Sequence, residues 1–172
     1  MTKLIAIAAV SIDGIIGVDN EIPWYIPEDF NHFRKTTMGS CIVVGYNTYL
    51  TLPQKAFEKR MYLVLNNQIS HIIQLKPNVF QIPSIDMLMQ IITNSDFKCD
   101  KVFVAGGAMI YESLLNLCDE AVITWINKKI EWGNKKFPMH ILSNNFNPID
   151  ISSNWCVSKN RIEYKIIHYT KN

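Results

Sequence analysis

"KVFVAGGAMIYESLLNL", residues 101–117, decides the fold class. Residues 101–106 are almost all apolar, which suits a strand covered on both faces. Two glycines follow, and from 108 to 117 the apolar residues recur at helical spacing. A strand that turns at once into a helix is half of a crossover unit, the connection that parallel strands require. Gly106 and Gly107 remove two side chains at the turn. The N–H groups bared there can hold a phosphate. A tight turn alone would use the same two residues, and the full G-x-G-x-x-G of a dinucleotide site is absent.

The same alternation extends in both directions. Residues 3–10, 41–45, 61–65 and 121–127 are further apolar runs of strand length. Residues 27–37, opened by Pro27, and 85–94, behind an N-cap at Ser84, read as helices. Together they predict an α/β, three-layer sandwich around one mostly parallel sheet of about eight strands, with about four helices. Residues 155–170 break the alternation and read as an antiparallel hairpin around Lys159-Asn160, at one edge of the sheet. A chain of 172 residues without internal repeats fits a single domain, 1–172.

Composition excludes several classes of function. At 48% hydrophobic and 19% charged, the chain can bury a substantial core. A net charge of +2, with scattered lysines, gives no footprint for nucleic acid. No apolar run reaches the roughly 20 residues of a membrane helix. The N-terminus lacks a basic region and reads as a strand and not a secretory signal, so the cytoplasm is expected. The four Cys and four His are dispersed, which predicts free buried thiols and no metal site.

Three polar residues could carry chemistry. Asp29 sits in the first turn of helix 27–37, where an acid complements the helix dipole. It also shares a face with Phe33 and with Thr36 or Thr37. A partly buried carboxylate there needs a partner, and a ligand with two N–H donors would be one. Arg60 precedes a strand and, by itself, reads as an ordinary surface residue. Thr124 lies within an apolar strand, where a β-branched side chain is at home.

In order and spacing the motifs resemble the dihydrofolate reductase family along almost the whole chain. They are "DGIIG" (13–17), "PW" (23–24), "P-x-D-x-x-x-F" (27–33), Thr37, "VVGYNTY" (43–49), Arg60, "VAGGAMIY" (104–111), "ITWI" (123–126) and "GNKKFP" (133–138). The resemblance implies hydride transfer from NADPH to C6 of dihydrofolate, with a proton delivered to N5. Asp29 would accept hydrogen bonds from the pteridine, Thr124 would orient it, and Trp24 would hold a water beside it and end a loop, 11–24, over the nicotinamide. Phe33 would pack on the aminobenzoyl group, Arg60 would pair with the glutamate α-carboxylate, and Ile7, Ala8, Phe30, Leu52 and Phe57 would complete the substrate pocket. The main chain of Ala9 and of Ile16 and Gly17 would meet the nicotinamide, and Ile22 is a further cofactor position. Gly106, Gly107, Ala108, Met109, Ile110 and Tyr111 would hold the pyrophosphate. Gly45, Asn47, Thr48, Leu65, Asn66 and Asn67 are further cofactor positions. A monomer that also binds antifolates is implied, with neither nucleic acid nor membrane as partner.

Some positions depart from the family pattern. Tyr46 and Met109 stand where basic residues usually meet the adenosine 2'-phosphate, which leaves Asn66 and Asn67 as donors and opens the site to NADH. Ala105 replaces a bulkier aliphatic residue, and Asn134 an acid that braces the loop. Two other functions remain open: a same-fold pyrimidine reductase of riboflavin synthesis, and a nucleotide-binding module without catalysis. The pterin-type run 23–33 and Arg60 weigh against the first, and Trp24, Asp29 and Thr124 against the second.

Overall fold

The computed structural model describes residues 1–149 and 154–172. In chain order the strands are β1 Lys3–Ser11, β2 Ile15–Gly17, β3 Cys41–Gly45, β4 Met61–Leu65, β5 Ile73–Lys76, β6 Val79–Ile82, β7 Lys101–Val104, β8 Glu120–Ile126, β9 Lys135–Lys136, β10 Phe146–Pro148, β11 Cys156–Val157 and β12 Glu163–Lys171. The helices are α1 Pro27–Thr37, α2 Tyr46–Thr51, α3 Ile85–Thr93, α4 Ala108–Leu114 and α5 Met139–Asn145. The main sheet runs β10-β12-β8-β1-β7-β3-β4-β6-β5, with β11 also on β12. From β8 to β6 every pairing is parallel. Antiparallel strands close both ends, β12 on β8 and β5 on β6.

The parallel strands are buried on both faces, as their unbroken apolar sequences require. On one face Ile42, Val44, Tyr62 and Val64 pack with Phe33 of α1 and Tyr49 of α2. On the other, Leu4, Val43 and Leu63 pack with Leu88 of α3, Leu114 of α4 and Leu142 of α5. The expected three layers are therefore present, with five helices and a ten-stranded main sheet among the described residues. Sequence pattern did not single out β5, β10, α2 or α5, because each is short or carries mixed polar and apolar residues. The hairpin at 155–170 is present, although β11 is only two residues long.

Two local features place the functional site. β7 pairs with β1 only from Lys3/Lys101 to Ala6/Val104, whereas β1 continues beside β8 as far as Ser11/Ile126. The sheet therefore parts between β1 and β7 beyond Ala6. β7 ends earlier than the apolar run suggested because Gly106 takes φ +109°, a conformation that turns the chain out of the strand. A Cβ at Gly106 would lie 3.3 Å from the Tyr111 ring. Tyr111 in turn donates to the carbonyl of Ile7 at 2.6 Å, satisfying a β1 acceptor that the departing strand leaves behind.

Candidate active site

Helix α1 opens at Pro27, whose fixed φ suits the first helical position. Its N-cap, Ile26, supplies no side-chain acceptor, and Glu28 and Asp29 occupy the first turn. Asp29 reaches across to β8, where the Thr124 hydroxyl donates to its Oδ1 at 2.6 Å. Thr124 is almost fully buried. Burial pushes the Asp29 carboxyl above the ordinary carboxylate value, opposed by the Thr124 hydrogen bond and by His32. The helix-start acid is thus also the polar floor of a largely apolar cleft.

Arg60 is a buried residue, at 7% exposure, and not a surface one as its sequence context alone implied. Its Nε donates to Thr37 Oγ1 at 2.9 Å. Its Nη1 and Nη2 donate at 2.6 Å to the carbonyls of Glu58 and Arg34. Thr37 in turn donates to the Phe33 carbonyl. Among the described residues no carboxylate lies within ion-pair distance of Arg60. Three of the five guanidinium N–H groups are engaged by protein, and a buried cation without an acid favours an anionic ligand.

Asp29, Thr124 and Arg60 open into one cleft of about 1180 Å³. That exceeds the roughly 300–1,000 Å³ typical of a single small-molecule site and leaves room for two ligands side by side. Trp24, Phe30 and Phe33 line it, as do Ile7, Ala8 and Leu52. So does every residue named above for the cofactor, from Ala9 to Tyr111. Of the residues expected around the substrate, Phe57 alone does not line it. Its ring is buried between Tyr49 and Tyr62, with the Lys76 ammonium over its face, and it supports the wall from behind. Sequence reasoning missed His32, Arg34, Lys55 and Lys135, which also line the cleft. Arg34 could have been found, four residues after Phe30 on the same helix; Lys55 lies in a short 3-10 turn, Gln54–Phe57, that carries no periodic signal.

The family model described as dihydrofolate reductase matches residues 3–171. A dihydrofolate reductase of Mycoplasma genitalium is 34% identical over 127 residues, covering 73% of this chain and 78% of its own. One of Mycoplasma pneumoniae is 28% identical over 174 residues, covering 96% of each chain. A type 3 dihydrofolate reductase of Salmonella typhimurium is 28% identical over 136 residues, 78% of each. The chain belongs to the dihydrofolate reductase family.

Its departures from the family pattern acquire a geometry. Asn134 Nδ2 donates to Asp19 Oδ1 at 2.8 Å, and the Asp19 N–H donates back to Asn134 Oδ1 at 2.7 Å. The Asn134 N–H also donates to the Gly17 carbonyl at 3.3 Å. The Asn134 amide therefore pins the loop between β2 and α1 by reciprocal bonds, one of them to the Asp19 carboxylate. At the other end of the cleft, Asn66 is already committed. Its Nδ2 donates to Gln81 and its Oδ1 accepts from the Gln68 N–H. Asn67 Oδ1 accepts from Gln68, which leaves the Asn67 amide as the freer donor. Lys76 is directed to Gln54 and the Phe57 ring, outside the cleft. Asp86, at the start of α3, does line the cleft.

The raised Asp29 carboxyl has a consequence for stability. Its folded pKa lies above the ordinary 3.8, so the native state binds the proton more tightly than the unfolded chain. Stability therefore falls as pH rises from about 3.8 through the folded pKa, where a buried charge must form. Asp29→Asn keeps an acceptor for Thr124 and removes that charge. The variant is expected to be more stable than the native protein at pH 7 in urea unfolding, with the advantage shrinking towards pH 4. A variant less stable at pH 7 would contradict the burial of charge at this position.

Proposed function

We propose that the protein reduces 7,8-dihydrofolate to 5,6,7,8-tetrahydrofolate with NADPH, supporting one-carbon metabolism and thymidylate synthesis. The observation that carries this is Asp29, a carboxylate held by Thr124 in the floor of a largely apolar cleft. It is suited to a ring that offers two adjacent N–H donors, a charge-assisted two-point contact. The names carried by the relatives point the same way.

Each residue then has a role. Asp29 fixes the orientation of the pterin and polarises it, and Thr124 aims the carboxylate. Phe33 packs on the aminobenzoyl group, and the free N–H groups of Arg60 take the carboxylate beyond it. Arg34 and Lys55 add positive potential at that mouth of the cleft. Trp24 shields the floor from bulk water, which strengthens the electrostatics there.

The residues present fit a nicotinamide dinucleotide. Gly45, Gly106 and Gly107 let backbone come close, since a Cβ on Gly107 would stand 3.1 Å from Thr48 Oγ1 and one on Gly45 would stand 3.0 Å from Ile110. Ala9, Ile16 and Gly17 offer main-chain groups beside Asp29 to fix the amide-bearing ring. A reduced nicotinamide, when bound, supplies the hydride; the protein supplies proximity and orientation.

Spectrophotometric loss of NADPH absorbance with dihydrofolate tests the assignment. Asp29→Asn is expected to bind cofactor normally and to lower hydride transfer at neutral pH by roughly two decades or more. Arg60→Leu is expected to raise KM for dihydrofolate with kcat within a few-fold, and to have no such effect with a pterin that lacks the glutamate. Near-native turnover of Asp29→Asn, or an equal penalty on both substrates in Arg60→Leu, would refute these roles.

Preference for NADPH over NADH is expected to be weak. Charge-assisted bonds to a phosphate are worth ~1.5–3 kcal/mol each, so a pair of them sustains a preference of several hundred-fold or more. Tyr46 and Met109 supply no cation, the partly committed Asn66–Asn67 pair supplies only neutral donors, and Asp86 adds a like charge. Steady-state KM values for both cofactors check this: Tyr46→Arg is expected to lower the NADPH value and leave the NADH value nearly unchanged. A thousand-fold native preference for NADPH would contradict the account.

A further inference from the structure

Four Lys or Arg side chains line the cleft: Arg34, Lys55, Arg60 and Lys135. Arg34 lies on α1, Lys55 in the 3-10 turn and Arg60 just before β4, and all three serve the mouth given above to the substrate carboxylate. Lys135 stands apart from them on β9, and none of the roles above is given to it. The charged residues that line the cofactor half are otherwise acids, Asp19, Glu21 and Asp86. A nicotinamide dinucleotide nevertheless carries two negative charges in its pyrophosphate, and a charge drawn from water needs a partner.

The backbone of β9 is fixed from two sides. It pairs with β2, Lys135 opposite Gly17 and Lys136 opposite Ile15. Just before it, a Cβ on Gly133 would stand 2.3 Å from the Ile15 side chain, so only a glycine lets the chain pass so close. The Asn134–Asp19 pair ties the same segment to the loop after β2. Successive residues of a strand point to opposite faces. Lys136 accordingly lines a separate groove with Ala108, Met109, Glu112 and Ser113, while Lys135 lines the cleft. β9 therefore lies between β2 and the start of α4, the two elements given to the nicotinamide and to the pyrophosphate. The stem of Lys135 rests on Gly17, where an added Cβ would lie 3.3 Å from Lys135 Cβ and 3.4 Å from its Cγ. Among the described residues the Lys135 ammonium has no acid within ion-pair distance.

We propose that Lys135 is a cofactor-binding residue whose ammonium takes the pyrophosphate of the dinucleotide, and that it supports NADPH and NADH alike because both carry that group. This rests on the cofactor reading above. It adds a physical reason for weak selectivity: the cation of this half acts on a charge that the two cofactors share, and not on the 2'-phosphate that distinguishes them. The bond is charge-assisted. A lysine suits it, since a flexible stem carries a point charge with three donors and needs no fixed fork.

The test is equilibrium binding of NADPH and of NADH, followed by quenching of protein fluorescence, in the native protein and in Lys135→Met, Lys135→Gln, Lys135→Arg and Lys136→Met. Methionine keeps most of the stem over Gly17 and removes the charge; glutamine repeats the loss of charge with a different side chain. Both are expected to raise Kd by about ten-fold for each cofactor at low salt, the lower end for a hydrogen bond to a charged group because the side chain is exposed. The penalty is expected to shrink towards about 1 M salt, where such a contact is screened. Lys135→Arg is expected to stay within a few-fold of the native protein. Lys136→Met removes the same charge from the other face of the same strand and is expected to bind as the native protein does. Unchanged Kd values in Lys135→Met and Lys135→Gln would overturn the proposal. A loss confined to NADPH would also overturn it, by placing the ammonium on the 2'-phosphate. An equal loss in Lys136→Met would reduce the effect to net charge, and a penalty that salt does not diminish would reduce it to packing of the stem; either result overturns the proposal. A native protein that binds neither dinucleotide would overturn the cofactor reading itself, whereas tight binding indifferent to Lys135 would leave that reading standing and remove only this residue from it.

Discussion

The parting of β1 from β7 beyond Ala6 and Val104 is the constraint on which the rest of this molecule depends. A parallel sheet paired to its end would have no room for a ligand between these strands. Here β7 leaves the sheet at Ala105, and the turn at Gly106 bends the chain away. The lost pairing is partly replaced: Ala105 N–H donates to the Val43 carbonyl, Gly45 N–H to the Gly106 carbonyl and Tyr111 OH to the Ile7 carbonyl. The opening lies beyond the carboxyl ends of neighbouring parallel strands, the place where open α/β sheets bind ligands. The turn after β7 and the start of α1 both line the cleft there.

The floor of that opening sets stability against activity. Asp29 is drawn from water by α1 and β8, so its ionised form is costly there. One bond from Thr124 offsets part of the cost. Arg60 poses the same conflict with the opposite sign, a buried cation neutralised only by carbonyl and hydroxyl dipoles. Both groups would be better satisfied by a ligand that carries N–H donors at one end and a carboxylate at the other.

The fold was legible in the sequence because its signal is redundant. Residues 41–45 and 61–65 match β3 and β4 as read, and Pro27 and Ser84 mark the helix starts where they occur. Short elements such as α2 and β5 carry too few residues for a period to emerge. The site was legible differently. Asp29, Thr124 and Arg60 are each ordinary in local context, and only the order of motifs along the chain singled them out. Depth is what that order cannot convey. It does not say that the Phe57 ring is buried between Tyr49 and Tyr62, or that one amide N–H of Asn66 is engaged by Gln81. It passed over His32, whose Nε2 is buried without a hydrogen-bond partner among the described residues, a feature that no spacing reveals.

The claim at the centre is that Asp29 receives a pair of N–H donors from a pteridine ring. The ultraviolet difference spectrum of a bound 2,4-diaminopteridine measures it most directly, because the protonated and neutral rings absorb differently. A carboxylate in a low-dielectric site favours the cationic ring, so the bound ligand should show the protonated spectrum well above the pKa of the free compound. In Asp29→Asn the same ligand should bind with the neutral spectrum. A neutral spectrum in the native protein would contradict the account.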